Sequence, residues 1–84
     1  MFNAEKTIAS VLPEILANNM EVFINEKFYR YAIIQSEKIA DSIMNSAHPN
    51  SFMYNGVKFY IVKDEDRNPK IWFARPGQLR SLFE

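Results

Sequence analysis

The residue types that most often perform acid–base and nucleophilic catalysis are scarce in this sequence. It has no Cys and a single His, His48, which is followed by Pro49. A Ser–His pair needs a supporting arrangement such as the Gly-x-Ser-x-Gly elbow, and no such motif is present. We interpret His48 as a surface or helix-terminating residue, whose charge favours a helix C-terminus. The sequence therefore predicts no catalytic residues and a protein that is not an enzyme.

A second candidate for chemistry is the acidic run Asp64-Glu65-Asp66, whose carboxylates have the oxygen ligands that divalent cations prefer. The run lacks the alternating ligand positions and the following Gly of an EF-hand loop, and Arg67 offsets part of its charge. We therefore predict a solvated loop and no metal site. The only glycines, Gly56 and Gly77, occupy turn positions, so we predict no phosphate-binding loop and no cofactor.

Aromatic and basic residues alternate in the C-terminal half in a way that favours binding. If this half forms a sheet, two flat aromatic rings lie among cations on one face. Such a surface can stack single-stranded bases while its cations contact phosphate, or it can anchor a protein partner. The third interpretation is that residues 20–24 or a final helix cover this face as core. The candidate binding residues are Met53, Lys58, Tyr60, Lys70, Trp72 and Arg75.

The strands that would position these residues are indicated by one strong local signal. Asn55-Gly56 lies between two apolar runs, 52–54 and 57–62, and this pair favours a two-residue type I′ turn. The turn predicts Tyr54 opposite Val57 and Met53 opposite Lys58. A third strand is predicted over 70–74. It would place Ile71 and Phe73 on the core face and Trp72 beside Tyr60 on the other.

The N-terminal half has the apolar spacing of helices, with one apolar stripe formed by Ile8, Val11, Leu12, Ile15 and Leu16. A first helix is predicted from Ala4 to Asn18 with Asn3 as its N-cap, and Pro13 either kinks it or splits it into two. Residues 20–24 alternate weakly like a strand, and we interpret them as an extended or turn segment. A second helix is predicted from Glu26 to Ala47, with Asn25 as its cap.

Together these elements predict an α+β fold, in which two N-terminal helices pack on one face of a three-stranded antiparallel β-meander. The 84 residues suffice for a single domain, 1–84. It divides into a helical half (1–48), a β-meander half (51–75) and a short C-terminal helix (76–84). A winged-helix fold is the alternative, but residues 29–47 offer only Arg30 and Lys38 as cations and the wing tip would be acidic.

Composition limits the cellular setting and the partners. The absence of Cys fits a reducing cytosol, so we predict a cytoplasmic location, and neither a secretory signal nor a membrane span is evident. The formal net charge is zero, whereas binders of duplex DNA are usually strongly basic. Abundant Asn, Ile, Lys, Phe and Tyr with two Gly are typical of AT-rich genomes, both those of many phages and those of AT-rich bacteria.

We therefore expect a small non-catalytic binding protein that docks on a larger protein and modulates or inhibits it, a phage-type accessory protein being one version. The alternative is a single-stranded nucleic-acid binding module that uses the aromatic–basic sheet face. A third class, a ribonuclease-type toxin, would need a cluster of Lys, Arg, Tyr and His48 that no spacing predicts. Homodimerisation would bury further apolar surface of a chain this short.

Overall fold

The computed structural model describes residues 2–64 and 66–77. The predicted α+β class is confirmed, but the three-stranded antiparallel meander is wrong. The described residues form three helices and one mixed four-stranded sheet of order β2-β3-β1-β4. The final helix expected over 76–84 lies largely outside the described residues. In chain order the elements are α1 (Ala4–Ala17), β1 (Glu21–Asn25), α2 (Glu26–Gln35), α3 (Glu37–Met44), β2 (Ser51–Tyr54), β3 (Val57–Val62) and β4 (Ile71–Ala74).

The main correction is the position of β1, because the sequence predicts only an extended or turn segment over residues 20–24. β1 lies in the sheet between β3 and β4, parallel to β3 and antiparallel to β4. Val22, Phe23 and Ile24 are all buried. A strand buried on both faces is apolar at consecutive positions rather than at alternate ones. This explains why the alternation in residues 20–24 is weak and why the strand belongs at the centre of the sheet.

The β2–β3 hairpin follows the local prediction. Asn55 and Gly56 have φ angles of 52° and 76°, as a type I′ turn requires. The predicted register is confirmed, with Tyr54 opposite Val57 and Met53 opposite Lys58. Positive φ at two consecutive positions matches the twist of the flanking strands, so the turn determines which side chains face the helices.

Helix α1 begins where its cap was predicted, since Asn3 Oδ1 accepts a hydrogen bond from the Lys6 N–H at 3.0 Å. The helix is continuous through Pro13, so the alternative of two short helices is wrong. It ends in a Schellman arrangement. Asn19 adopts a φ of 50°, and the Met20 N–H donates to the Ile15 carbonyl at 3.0 Å.

The single second helix predicted from Glu26 to Ala47 is wrong, because the chain forms two helices that meet at Ser36. The Ser36 backbone is extended, its N–H donates to the Ala32 carbonyl, and its Oγ accepts from the Ile39 N–H at 3.2 Å. One serine thus ends α2 and caps α3, as its hydroxyl chemistry allows. The predicted Asn25 cap of α2 is confirmed, with the Phe28 N–H donating to Asn25 Oδ1.

The helices and the sheet share one hydrophobic cluster, which lies between the helices and one face of the sheet. Ile71 and Phe73 pack against this cluster, as predicted for the core face of the last strand. The opposite face, which we call the second face, carries Phe23, Tyr60 and Trp72. The cluster's larger members are Ile8, Ile15, Val22, Ile24, Phe28, Ile39, Phe52, Val57 and Phe59. Within the described ranges, no helix is both long and apolar enough to cross a membrane.

Candidate binding surface

The second face is built around three aromatic residues in adjacent strands, which we call the aromatic row: Tyr60 of β3, Phe23 of β1 and Trp72 of β4. Phe23 lies opposite both of the others in the strand registers. Its ring stacks on that of Tyr60, with centroids 5.1 Å apart and planes 20° from parallel. Sequence analysis placed Trp72 directly beside Tyr60, which is wrong because Phe23 separates them. Phe23 is buried, whereas Tyr60 and Trp72 are half-buried.

Two of the predicted binding residues, Met53 and Lys58, form a cross-strand pair at the β2 edge of the second face. Met53 has 56% of its surface exposed, which is high for a residue of its hydrophobicity. Lys58 is exposed, and its Nζ lies 5.2 Å from the centroid of the Tyr60 ring. This is cation–π geometry, so Lys58 is held beside the aromatic row. The structure therefore brings Met53, Lys58 and Tyr60 together.

The remaining predicted residues, Lys70 and Arg75, flank β4. Lys70 Nζ lies 2.6 Å from Asp66 Oδ2. This hydrogen bond to Lys70 holds the pKa of Asp66 below its usual value, and the same contact raises the pKa of Lys70. Arg75 is exposed and follows the last residue of β4 at a bend in the chain. The cation of Lys70 is therefore already engaged by a carboxylate of its own loop.

The acidic run before β4 forms hydrogen bonds within its own loop. Asp64 Oδ1 accepts from the Asp66 N–H at 2.6 Å, and Asp66 Oδ1 accepts from the Asn68 N–H at 2.9 Å. Glu65 lies outside the described residues. Within the part of the chain that the structure describes, no three acidic, His or Cys side chains are grouped to hold a metal ion. The carboxylates thus order the turn that leads into β4.

An open groove of about 350 Å³ lies at the end of the sheet where β1 and β3 begin. Leu16 of α1 and Met53 of β2 both line it, with 55% and 56% of their surfaces exposed. Lys58 and Glu21 supply one charge of each sign to its wall. Sequence analysis assigned Leu16 to the apolar stripe of α1 and missed it as a surface residue. The signal was its adjacency to Ile15, because neighbouring helical positions point about 100° apart.

A second open groove, of about 460 Å³, lies on the other side of the Met53–Lys58 pair, between the α3–β2 loop and β2. Its wall is more hydroxylic, with Ser42, Ser46 and Ser51 beside His48. His48 is exposed, and its N–H donates to Ser46 Oγ at 3.2 Å. Of the two interpretations of His48, the surface residue is confirmed and the helix-terminating residue is wrong, because α3 ends at Met44 and His48 lies in the following loop.

Comparison with known proteins adds no relative: the chain matches no protein-family model, no curated protein and no solved structure. The functional argument therefore rests on the geometry of the second face and its two flanking grooves.

Proposed function

We propose that this protein is a small non-catalytic binding protein that docks on a larger protein and modulates or inhibits it. The docking surface consists of Leu16, Met53 and Lys58 around the 350 Å³ groove, continued by Tyr60 on the second face. The observation that carries the proposal is the paired exposure of Leu16 and Met53 on the same groove. Exposed apolar side chains that share a concave surface are typical of protein interaction sites.

The chemistry of this surface suits an apolar side chain of a protein partner. Methionine is flexible and polarisable, so it adapts to irregular partner surfaces. Lys58 lies beside the apolar centre, where a charge at the rim governs orientation and association rate more than affinity. The ligand that fits is therefore a protein segment with an aliphatic or aromatic anchor and an acidic neighbour.

Nucleic acid is supported less well than a protein partner. A single-strand binder needs free cations along the backbone path and exposed rings for stacking. Lys70 is engaged by Asp66 at 2.6 Å, and the central ring of the aromatic row, Phe23, is buried. These two features reduce both the phosphate contacts and the stacking area. A phage-type, host-directed modulator is one version of the protein-binding proposal, and it rests on size and composition alone.

The test is affinity capture of the tagged protein with its bound partners from native lysate of the cells that make it. The capture is divided into nuclease-treated and untreated halves and washed at low and at high salt. We expect a stoichiometric protein that survives nuclease and high salt, because burial of apolar surface responds weakly to ionic strength whereas phosphate contacts respond steeply.

A matched pair of variants ties the captured protein to the surface. Met53→Lys should abolish capture by placing a charge in the apolar contact. Met44→Lys makes the same change at an 81% exposed methionine of α3, outside the docking surface, and should leave capture intact. Loss of capture in both variants would remove the assignment to this surface. If capture were lost on nuclease treatment, the proposal would be replaced by the alternative, a single-stranded nucleic-acid binding module.

A further inference from the structure

The outer edge of β4 presents backbone groups that no strand of the described residues pairs. β4 is the last strand of the sheet, next to β1. The Asn25 N–H donates to the Lys70 carbonyl at 3.2 Å, which fixes the side of the strand that faces β1. Because antiparallel hydrogen bonds alternate along a strand, Trp72 and Ala74 also bond towards β1. Ile71 and Phe73 therefore direct their N–H and C=O groups outwards.

The opposite edge of the sheet, β2, is less open. The Ile61 N–H donates to the Asn50 carbonyl at 2.8 Å, so by the same alternation Ser51 and Met53 point their backbone groups outwards. The Ser51 carbonyl, however, accepts from Ser46 Oγ. On β2, Met53 thus keeps both of its outward backbone groups available and Ser51 does not. On β4, Ile71 and Phe73 both keep theirs.

β4 itself carries neither a charged side chain nor a proline, two of the devices that commonly protect a sheet edge. Pro69 and Pro76 lie at either side of the strand. By the same alternation Pro69 lies at an outward position and cannot donate to a ladder, so pairing on this edge begins after it, and β4 ends at Ala74. The edge therefore accepts a short extended strand and excludes a long one.

We propose that β4 pairs with β4 of a second copy of this chain, antiparallel and about a two-fold axis at Trp72. In this register Ile71 lies opposite Phe73 of the second copy and makes two hydrogen bonds with it. The symmetric pair makes two more. Lys70 lies opposite Ala74, so no like charges face each other. Antiparallel pairing about a two-fold axis is self-complementary, as a homodimer interface must be.

The proposed dimer joins the two sheets into one of eight strands. Trp72 of each copy occupies a non-hydrogen-bonded position, where facing side chains are closest. The two aromatic rows then form one continuous row across the axis. This inference does not rest on the proposed function, since it is argued from the backbone of β4, whereas the docking surface is built from side chains of α1, β2 and β3.

Sedimentation of the unmodified protein over a range of concentrations tests the association, with a species of twice the chain mass expected. Ile71→Pro removes an outward N–H without touching the pairing to β1, so it should weaken the dimer roughly ten- to hundred-fold through two lost hydrogen bonds. Met53→Pro makes the matched change on the β2 edge and should leave the dimer intact. Circular dichroism verifies that each variant is folded.

Because the chain has no Cys, engineered cysteines report the register even if Ile71→Pro fails to fold. Trp72→Cys places two thiols face to face across the axis and should form an intermolecular disulfide on mild oxidation. Ala74→Cys places each thiol four residues from its counterpart and should not. A monomer at all concentrations, a dimer that persists in folded Ile71→Pro, or equal crosslinking at both positions would overturn the proposal.

Discussion

At the residue scale, Asn25 makes contacts that its role as a helix cap does not suggest. Its side chain is fully buried, and Oδ1 accepts from both the Phe28 N–H at 3.0 Å and the Lys70 N–H at 2.9 Å. Its Nδ2 donates to the Asn68 carbonyl at 2.8 Å. One amide thereby joins β1, the start of α2 and the segment that enters β4. All of its polar atoms are satisfied, as burial requires.

We predict that Asn25→Ala lowers the free energy of unfolding by about 2–4 kcal/mol, because it removes a cap and takes their partner from the part-buried Asn68 carbonyl and Lys70 N–H. Asn3→Ala removes an exposed cap whose side chain bonds its own helix and does not join it to a second element. It should cost only about 1 kcal/mol. Urea denaturation of both variants measures the difference. Equal losses would show that the contacts to residues 68 and 70 contribute nothing.

The Asp66–Lys70 pair gives a pH dependence with a definite sign. The pKa of Asp66 is lowered first by its hydrogen bond to Lys70 and next by the Asn68 N–H. A carboxyl with a depressed pKa stabilises the fold above its unfolded pKa, near 4, and this contribution is lost as pH falls through the folded value. We predict an Asp66 titration midpoint, measured by NMR, below that of an unstructured Asp. Since the half-buried Asp66 carboxylate still reaches solvent, which screens the pair, its effect on stability should be small.

Lys70→Met supplies the control for this titration. It deletes the ammonium and retains an unbranched side chain, so the Asp66 midpoint should move back towards its usual value. The Asn68 N–H should keep part of the depression, because that hydrogen bond remains. An unchanged midpoint in Lys70→Met would contradict the assignment of Lys70 as the main cause.

At the element scale, the conformation of the turn between β2 and β3 depends on Gly56. Gly56 has a φ of 76°, and a Cβ built on it would meet no atom within 4 Å. We predict that Gly56→Ala lowers the free energy of unfolding by about 1–2 kcal/mol through backbone strain alone, since there is no clash to add. Gly56→Asn should cost less, because Asn tolerates the left-handed region. Thermal unfolding compares the two, and a larger loss for Asn would contradict the explanation.

The accuracy of the sequence prediction differed between elements for a physical reason. The hairpin and the caps at Asn3 and Asn25 depend on interactions within a few residues, and the sequence predicted each of them. The break at Ser36 was also local but was outweighed by the apolar spacing that runs through it. The position of β1 depends on pairing with residues 37 positions further along the chain in β3 and 47 to 53 positions further along in β4, and no local pattern reports that pairing.

The candidate site shows the same difference between local features, which the sequence predicts, and contacts between distant residues, which it does not. The pairing of Met53 with Lys58 followed from the turn, so the register placed both on one face. Phe23 and Leu16 were missed, the first because it belongs to β1 and the second because it belongs to the apolar stripe of α1, although 55% of it is exposed. The salt bridge of Lys70 was missed as well, because the loop geometry that brings Asp66 to it has no sequence signature.

At the scale of the whole molecule, the central strands determine which part of the structure opens last. β1 and β3 each have a strand on both sides, and Val22, Ile24 and Phe59 are fully buried. We predict that the amides of Val22–Ile24 and Phe59–Ile61 exchange with solvent most slowly, and that those of α3 exchange sooner. Hydrogen exchange followed by NMR measures this order. Exchange in β1 as fast as in β2 would contradict the topology.

The central position of β1 also makes this chain suitable for splitting into two complementary pieces. A cut after His48, in an exposed loop, would leave β1 on one piece and β2, β3 and β4 on the other. β3 and β4 pair with β1 and not with each other, so neither piece can complete the sheet. Insertion of β1 between them would restore it. If each piece were fused to one of two proteins that bind each other, their binding would bring the pieces together. Reassembly of the sheet would then report that binding.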